Sequence, residues 1–270
     1  MSKKRTAFGL SLITHHFFKM NYRLTIQYDG TEFAGWQVQG RGERTVQGEL
    51  QRALALLEGR EVAVHGAGRT DAGVHAEGQE ASVRLEREFT PEKLRAAVNG
   101  NVGRDLRVIE VRVASEDFHA RFSARGKTYR YRVFNEPFAS PFLARFAHHE
   151  ARPLDLGRMQ RCARPFLGTH DWTAFSAAQS DVEGRVRTVT RLDVTERRSE
   201  SGRGRLVEIT ASAEGFLRYM VRSIAGTLLA AGRGELDESA AARAIETGER
   251  PPAAATAPAH GLTLVRVHYD

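Results

Sequence analysis

The sequence predicts an α+β fold in which two βαββαβ-like halves, each with an antiparallel sheet, join around a central cleft. The first observation is periodicity, because apolar residues recur every second residue in some segments and at helical spacing in others. The second is order, because the succession strand, helix, strand, strand, helix and strand occurs twice. The third is length, since 270 residues suit one large domain or two modest ones.

The first half is expected to span residues 21–114, and the ends of its helices are recognisable. Thr45 and Thr90 are typical N-cap residues, and Gly59 can end the first helix. Pro91 suits the first position of the second helix. The predicted elements are a strand at 22–28, a helix at 46–57, strands at 62–65 and 81–85, a helix from Thr90, and a strand formed by Ile109, Val111 and Val113.

The second half is expected to span residues 115–270 and to repeat that order without repeating the sequence. Pro165 should kink or end its first helix. Its second helix is apolar almost all round and should be largely buried. The predicted elements are strands at 129–133, 188–194 and 205–213, helices at 156–166, 216–231 and 238–246, and a last strand at 262–269.

Residues 1–20 are expected to be a disordered extension or the result of a start codon assigned too early. Three basic residues and an apolar stretch at 7–14 imitate a signal peptide. Two histidines interrupt that stretch, however, and no small-residue cleavage site follows it. Met20 is then the expected start.

The composition favours a polyanionic partner and a reducing compartment. The chain has 40 basic and 33 acidic residues, and 35 of the basic residues are arginine, which grips phosphate with two parallel hydrogen bonds. A genome that favours arginine over lysine is the alternative explanation. Cys162 is the only cysteine, which excludes an internal disulfide and a cysteine-based zinc site and fits the cytoplasm. No apolar run approaches the ~20 residues of a membrane span.

Residues 66–76 form a glycine-rich loop that carries the most unusual chemistry of the chain. It lacks the spacing of a phosphate-binding loop, and the histidines at its two ends have no third partner at metal-ligand spacing. Asp71 lies beside Arg69 in a tight turn, which makes it a candidate nucleophile or base. Glycine-rich hairpins with an aspartate are also common, so an ordinary turn is the alternative.

Arg222 falls in the middle of the predicted apolar helix. A guanidinium in such a place generally needs a carboxylate partner, and Asp71 is one candidate. Another acid, or the edge of the cleft, is equally compatible with the sequence. Tyr129 has two interpretations as well, because a tyrosine on the buried face of a strand is more often a core residue than a functional one.

Seven motifs occur together and in order. They are Phe33-Ala34-Gly35-Trp36-Gln37, Arg44 to Leu50, Gly68 to Ala76, Phe118-His119-Ala120-Arg121-Phe122-Ser123-Ala124, Tyr129-Arg130-Tyr131, Met220-Val221-Arg222 and Thr256 to Leu262. Through them the sequence resembles the tRNA pseudouridine synthase A family over residues 22–269. The resemblance implies the pseudouridine synthase fold and isomerisation of uridines 38 to 40 in the tRNA anticodon stem-loop. It also implies a homodimer that needs no metal or organic cofactor.

The resemblance also implies a role for each site residue. Asp71 becomes the catalytic aspartate, and Arg69 a wedge or clamp on the extruded nucleotide. Tyr129 lies against the uracil ring, and Arg222 pairs with Asp71. The chain departs from the family at Tyr219, where a smaller polar residue is frequent, so the pocket wall is not predicted in detail.

Two other functions compete with this hypothesis. A metal-dependent nucleic-acid hydrolase requires a second carboxylate near the first, and residues 66–76 contain only one. A non-catalytic RNA-binding module has no need of a buried arginine opposite the loop. In a synthase the carboxylate can add to uracil C6, add to ribose C1′ or remove a ribose proton, and the sequence does not choose among these reactions.

Overall fold

The computed structural model describes residues 19–40, 42–177, 184–199, 202 and 204–269. The strands are β1 (Met20–Tyr28), β2 (Val64–Gly66), β3 (His75–Leu85), β4 (Leu106–Val113), β5 (Gly126–Asn135), β6 (His148–Glu150), β7 (Gly168–Asp171), β8 (Val186–Arg198), β9 (Arg205–Ala213) and β10 (Leu262–His268). The α-helices are α1 (Val46–Glu58), α2 (Pro91–Gly100), α3 (Leu156–Ala163), α4 (Met220–Gly232) and α5 (Ala240–Thr247). The expected extension at 1–20 lies outside the described residues except for its last two.

The strands of both halves form one continuous sheet in the order β4-β1-β3-β10-β5-β9-β8-β7, with β2 paired to β3 and β6 to β5. On this path each half is antiparallel, as predicted. The two halves meet where β10 pairs in parallel with β3, which brings Thr263 opposite His75 and Leu264 opposite Ala76. This junction places the last strand of the chain beside the strand that follows the glycine-rich loop. The division of the chain at residue 114 stays a prediction.

The core is also continuous between the halves. Buried side chains of β1, α1 and α2 belong to one hydrophobic cluster with those of β5, α3 and α4. Fully buried examples are Leu24, Leu50, Leu94, Tyr131, Met159 and Ile224. No helix in the described part of the chain is long and apolar enough to cross a membrane.

The helix ends predicted at Thr45, Gly59 and Thr90 are confirmed. The Thr45 hydroxyl accepts a hydrogen bond from the Gly48 N–H, and the Thr90 hydroxyl accepts one from the Lys93 N–H. Gly59 ends α1 with φ at 73°, in the left-handed region. Such local signals depend on neighbouring residues only, which is why the sequence alone predicts them.

The structure also departs from the sequence prediction, which contained neither β6 nor β7. The apolar helix begins at Met220 rather than at residue 216, because Tyr219 adopts a φ of 66° that no α-helix contains. Arg222 therefore lies in the first turn of α4. The predicted position in the middle of the helix is wrong. In β4 the register to β1 shifts between Val108 and Glu110, and this bulge turns Ile109 outward while Val111 stays buried.

Candidate active site

The residues between β2 and β3, here called the Asp71 loop (67–74), are held in place by β1 and the segment that follows it. The Trp36 N–H donates a 3.0 Å hydrogen bond to the Thr70 carbonyl. The Tyr28 hydroxyl is 2.8 Å from the Thr70 hydroxyl, and both side chains are buried. Gly35 has a φ of 101°, and a Cβ there would lie 2.7 Å from the Thr70 oxygen. Only glycine allows the two backbones to approach so closely.

The far end of the Asp71 loop is fixed by His75, which is buried at the start of β3. Its Nδ1 accepts the Gly30 N–H at 2.9 Å, so the ring proton is on Nε2 and is donated to the His260 carbonyl 3.1 Å away. Burial lowers the pKa of His75. The neutral imidazole thus connects the loop of the first half to the segment that precedes β10.

Asp71 and Arg222 lie together although 151 positions separate them in the chain. Arg222 Nη1 is 3.2 Å from Asp71 Oδ2, and Arg222 Nε donates a 2.8 Å hydrogen bond to the Ala257 carbonyl. The Arg222 side chain is 17% exposed and the Asp71 side chain is 23% exposed. Arg222 is therefore positioned by the backbone of the second half and directed towards the carboxylate of the first.

A second arginine that sequence reasoning missed also faces Asp71. Arg218 Nε is 3.8 Å from Asp71 Oδ1, and this side chain is 62% exposed. Arg218 lies four residues before Arg222, which is the spacing of neighbours on the helix predicted there, although the structure has no helical turn before Met220. The carboxylate is flanked by two guanidinium groups, one largely buried and one open to solvent.

Tyr219 explains how both arginines are supported. Its ring centroid is 4.8 Å from the Arg218 guanidinium carbon and 5.2 Å from that of Arg222. Its hydroxyl accepts a 3.0 Å hydrogen bond from Arg218. Tyr219 is also the one non-glycine residue with positive φ in the described part of the chain, and such strained conformations cluster at functional sites.

Tyr129 forms the floor of the candidate site. It lies on β5 between β10 and β9, is only 7% exposed and meets the ring of Phe216 edge-on at 5.2 Å. Burial raises the pKa of its phenol, and the neighbouring Tyr28 and Asp71 raise it further. Phe216 was not singled out from the sequence, because its apolar helical context predicted a core residue.

The site therefore combines Asp71, Arg222 and Tyr129, while Arg69 is exposed on the Asp71 loop next to Thr70. No group of three or more His, Cys, Asp or Glu side chains that could hold a metal ion occurs among the residues that the structure describes. A carboxylate between two guanidinium groups and beside an aromatic floor can hold a flat polar ring and act on it as nucleophile or base.

Comparison with known proteins identifies the family of the chain. The family model described as tRNA pseudouridine synthase matches residues 24–123 and 162–270. The chain belongs to the tRNA pseudouridine synthase family. A "tRNA pseudouridine synthase A 2" of Bacillus cereus is 37% identical over 92% of this chain and 99% of its own length. The "tRNA pseudouridine synthase A" of Ruminiclostridium cellulolyticum is 40% identical over 92% and 98%.

A third relative, the "tRNA pseudouridine synthase A" of a Geobacillus species, is also 40% identical and covers 92% of this chain and 98% of its own. Matches of this extent include both halves of the sheet. The family assignment confirms the α+β pseudouridine synthase fold expected from the sequence and makes the protein an isomerase that acts on tRNA.

Proposed function

We propose that this protein converts uridine to pseudouridine at positions 38, 39 and 40 of the tRNA anticodon stem-loop, with Asp71 as the catalytic carboxylate. The 3.2 Å contact between Asp71 and Arg222 carries the proposal. It joins the loop motif of one half to the helix motif of the other, and both motifs are among those that resemble the family. The proposed enzyme is a cytoplasmic homodimer and needs no metal or organic cofactor.

The reaction imposes three requirements on the site. A uridine in a stacked stem must first leave the stack, which costs a few kcal/mol. The bond from N1 to C1′ then breaks, the uracil turns, and a bond forms between C5 and C1′. N1 gains a proton and C5 loses one to solvent, so the reaction is balanced without any external oxidant or reductant.

The described residues suit these requirements. Asp71 supplies the nucleophile or base, which can act at uracil C6, at ribose C1′ or on a ribose proton. Arg222 holds that carboxylate, and the neutral Tyr129 ring offers the freed uracil a flat apolar surface. Arg69 is exposed on the same loop, where a wedge or clamp on the extruded nucleotide belongs.

Release of tritium from tRNA labelled at uracil C5 tests the proposal. We expect release by the parent protein in buffer that contains a chelator, and none above background by Asp71→Asn, which should still bind tRNA. Asp193→Asn is the matched control, because it removes an exposed carboxylate on β8. Turnover by Asp71→Asn contradicts the assigned carboxylate. Binding by the parent without tritium release indicates an RNA-binding module, and metal-dependent strand cleavage indicates a hydrolase.

A further inference from the structure

The proposed chemistry assigns no role to the sequence motif Phe118 to Ala124. This segment connects β4 to β5 and has no regular secondary structure, yet it is firmly anchored. The Ala120 N–H donates to the Ser82 hydroxyl at 3.1 Å, and the Ala120 carbonyl accepts from the Tyr269 hydroxyl at 2.8 Å. Asn21 donates a 2.9 Å hydrogen bond to the Phe118 carbonyl. The segment is therefore a preformed surface rather than a loose connection.

Three aromatic rings stack outward from this segment, and we call them the aromatic stack (His65, His119 and Phe122). The centroids of His65 and His119 are 5.0 Å apart, and those of His119 and Phe122 are 4.4 Å apart. The planes are tilted by 38° and 33°. Phe122 ends the stack and is 77% exposed, so one side of a large apolar ring is left to water.

The middle ring is locked by hydrogen bonds. His119 Nδ1 accepts the N–H of Arg121 at 3.1 Å and that of Phe122 at 3.4 Å, which requires an unprotonated Nδ1. Burial and the neighbouring basic groups lower the pKa of His119 in the same sense. The protein alone thus forms the stack, with Phe122 as its outermost ring.

The charges around the aromatic stack are basic. The side chains of His65, Arg121 and Arg84 lie close enough to His119 to lower its pKa by electrostatic repulsion. The Arg121 guanidinium carbon also lies 5.7 Å from the Phe122 ring centroid. Exposed arginine beside exposed aromatic rings is the combination with which proteins bind single-stranded nucleic acid, where bases stack on the rings and phosphates contact the cations.

The aromatic stack and the Asp71 loop belong to connected parts of the chain. His65 belongs to β2, whose last residue leads into the Asp71 loop. On the other side, Lys127 lies two residues before Tyr129, and its Nζ is 3.0 Å from the position that a Cβ on Gly68 would take. Burial, with Arg121 nearby, lowers the pKa of Lys127 to about 8. The aromatic stack and these cations therefore border the strand and loop that carry Asp71.

We propose that Phe122 and His119 form a stacking surface for an unpaired nucleobase of the bound tRNA anticodon stem-loop, with Arg121 on its phosphate. The inference rests on the proposed function and adds the part of the substrate that this surface recognises. A second copy of the chain is a poorer occupant. In a twofold contact the same patch meets itself, so Arg121 and its basic neighbours would face their own copies.

The test compares Phe122→Ala with Phe122→Trp, which keeps an aromatic face, and with Leu56→Ala, which removes a similarly exposed apolar side chain from α1. Stacking of one base corresponds to about 5- to 150-fold in affinity. We therefore expect Phe122→Ala to raise the Kd and KM for the anticodon stem-loop within that range, with a much smaller change in kcat. Phe122→Trp should restore most of the affinity, and Leu56→Ala should match the parent.

A fluorescent probe gives a second measurement that a merely structural role does not change. 2-Aminopurine placed in turn at each unpaired position of the anticodon loop should be quenched at one position by the parent protein and less so by Phe122→Ala. The proposal is overturned if the Kd and the quenching are unchanged in Phe122→Ala. It is also overturned if Phe122→Ala loses a dimer in sedimentation while its affinity for RNA is unaffected. If the parent releases no tritium while Phe122→Ala still weakens RNA binding, the proposed function fails and the stacking surface stands.

Discussion

Replacing Arg222 by methionine separates the fold from the chemistry most directly. Methionine keeps much of the apolar stem and removes the charge and all hydrogen-bond donors. The parent side chain bonds Asp71 and the Ala257 carbonyl and lies 5.2 Å from the ring centroid of Tyr219. The substitution therefore removes the contact that carries the proposed function while leaving α4 itself a good helix.

The contacts of Arg222 set the expected magnitude. Leaving the partly buried Ala257 carbonyl unsatisfied costs about 1–3 kcal/mol. The ion pair adds about 1 kcal/mol or less, because both side chains are partly exposed and solvent screens them. At roughly 2–4 °C per kcal/mol, a loss of about 2 kcal/mol lowers Tm by about 4–8 °C. The variant should therefore fold at 25 °C.

Activity should fall much further than stability. Loss of the group that orients a catalytic carboxylate is expected to lower kcat by about 10²- to 10³-fold, with tRNA binding nearly unchanged. Arg222→Lys should recover only part of the activity, because one ammonium cannot reproduce the fork that contacts both Asp71 and Ala257. Tritium release measures kcat, and thermal melting measures stability.

Two results refute this reasoning. Full activity of Arg222→Met excludes the pair from catalysis, even if the family assignment stands. A double-mutant cycle of Arg222→Met with Asp71→Ala should show a coupling free energy of about 0.5 kcal/mol or more. Strict additivity of the two losses in stability indicates that Arg222 acts through the Ala257 carbonyl alone.

Three further outcomes are expected. Tritium release should fall more in Gly35→Ala than in Gly42→Ala. Both glycines have positive φ, but only a Cβ on Gly35 would meet the Thr70 carbonyl oxygen. Equal losses of activity contradict the importance of this contact. Burial lowers the pKa of His75 below about 6.5, so the unfolded chain takes up a proton at higher pH than the folded protein does. The stability of the folded protein should therefore fall as the pH drops. Between pH 7.5 and 5.5, the Tm should decline less in His75→Gln than in the parent. Log affinity for tRNA should fall with log salt by about 0.7–0.9 per phosphate neutralised, and a salt-independent affinity argues against arginine-driven binding.

Local features were predictable from the sequence, and features set by distant contacts were not. The caps Thr45 and Thr90 depend on residues three positions away, so their pattern is visible in the chain. The late start of α4 depends on the left-handed conformation of Tyr219, which propensity does not predict for a tyrosine. The bulge beside Ile109 likewise appears only when β4 is paired with β1.

The candidate site follows the same division. Asp71 and Arg222 were proposed as partners because an arginine in an apolar helix needs an acid, and the structure places them 3.2 Å apart. Arg218 and Phe216 were missed because the apolar pattern predicted a helix from residue 216, whereas both residues lie in an irregular turn before Met220. Periodicity assigns residues to faces of regular elements, and it contains no information about side chains that an irregular turn directs.

The strand pairing that joins the two halves also sets the distance between the reactive groups. Asp71 lies four residues before His75, which is opposite Thr263 in the parallel β3–β10 pair. Ala257, the carbonyl partner of Arg222, lies five residues before β10 begins, and its N–H donates back to the Arg222 carbonyl at 3.0 Å. A short loop on one strand and a short segment before its neighbour thus meet at one end of the junction. Shifting that register would move the carboxylate relative to its guanidinium, so the junction between the halves and the chemistry of the site depend on the same backbone contacts.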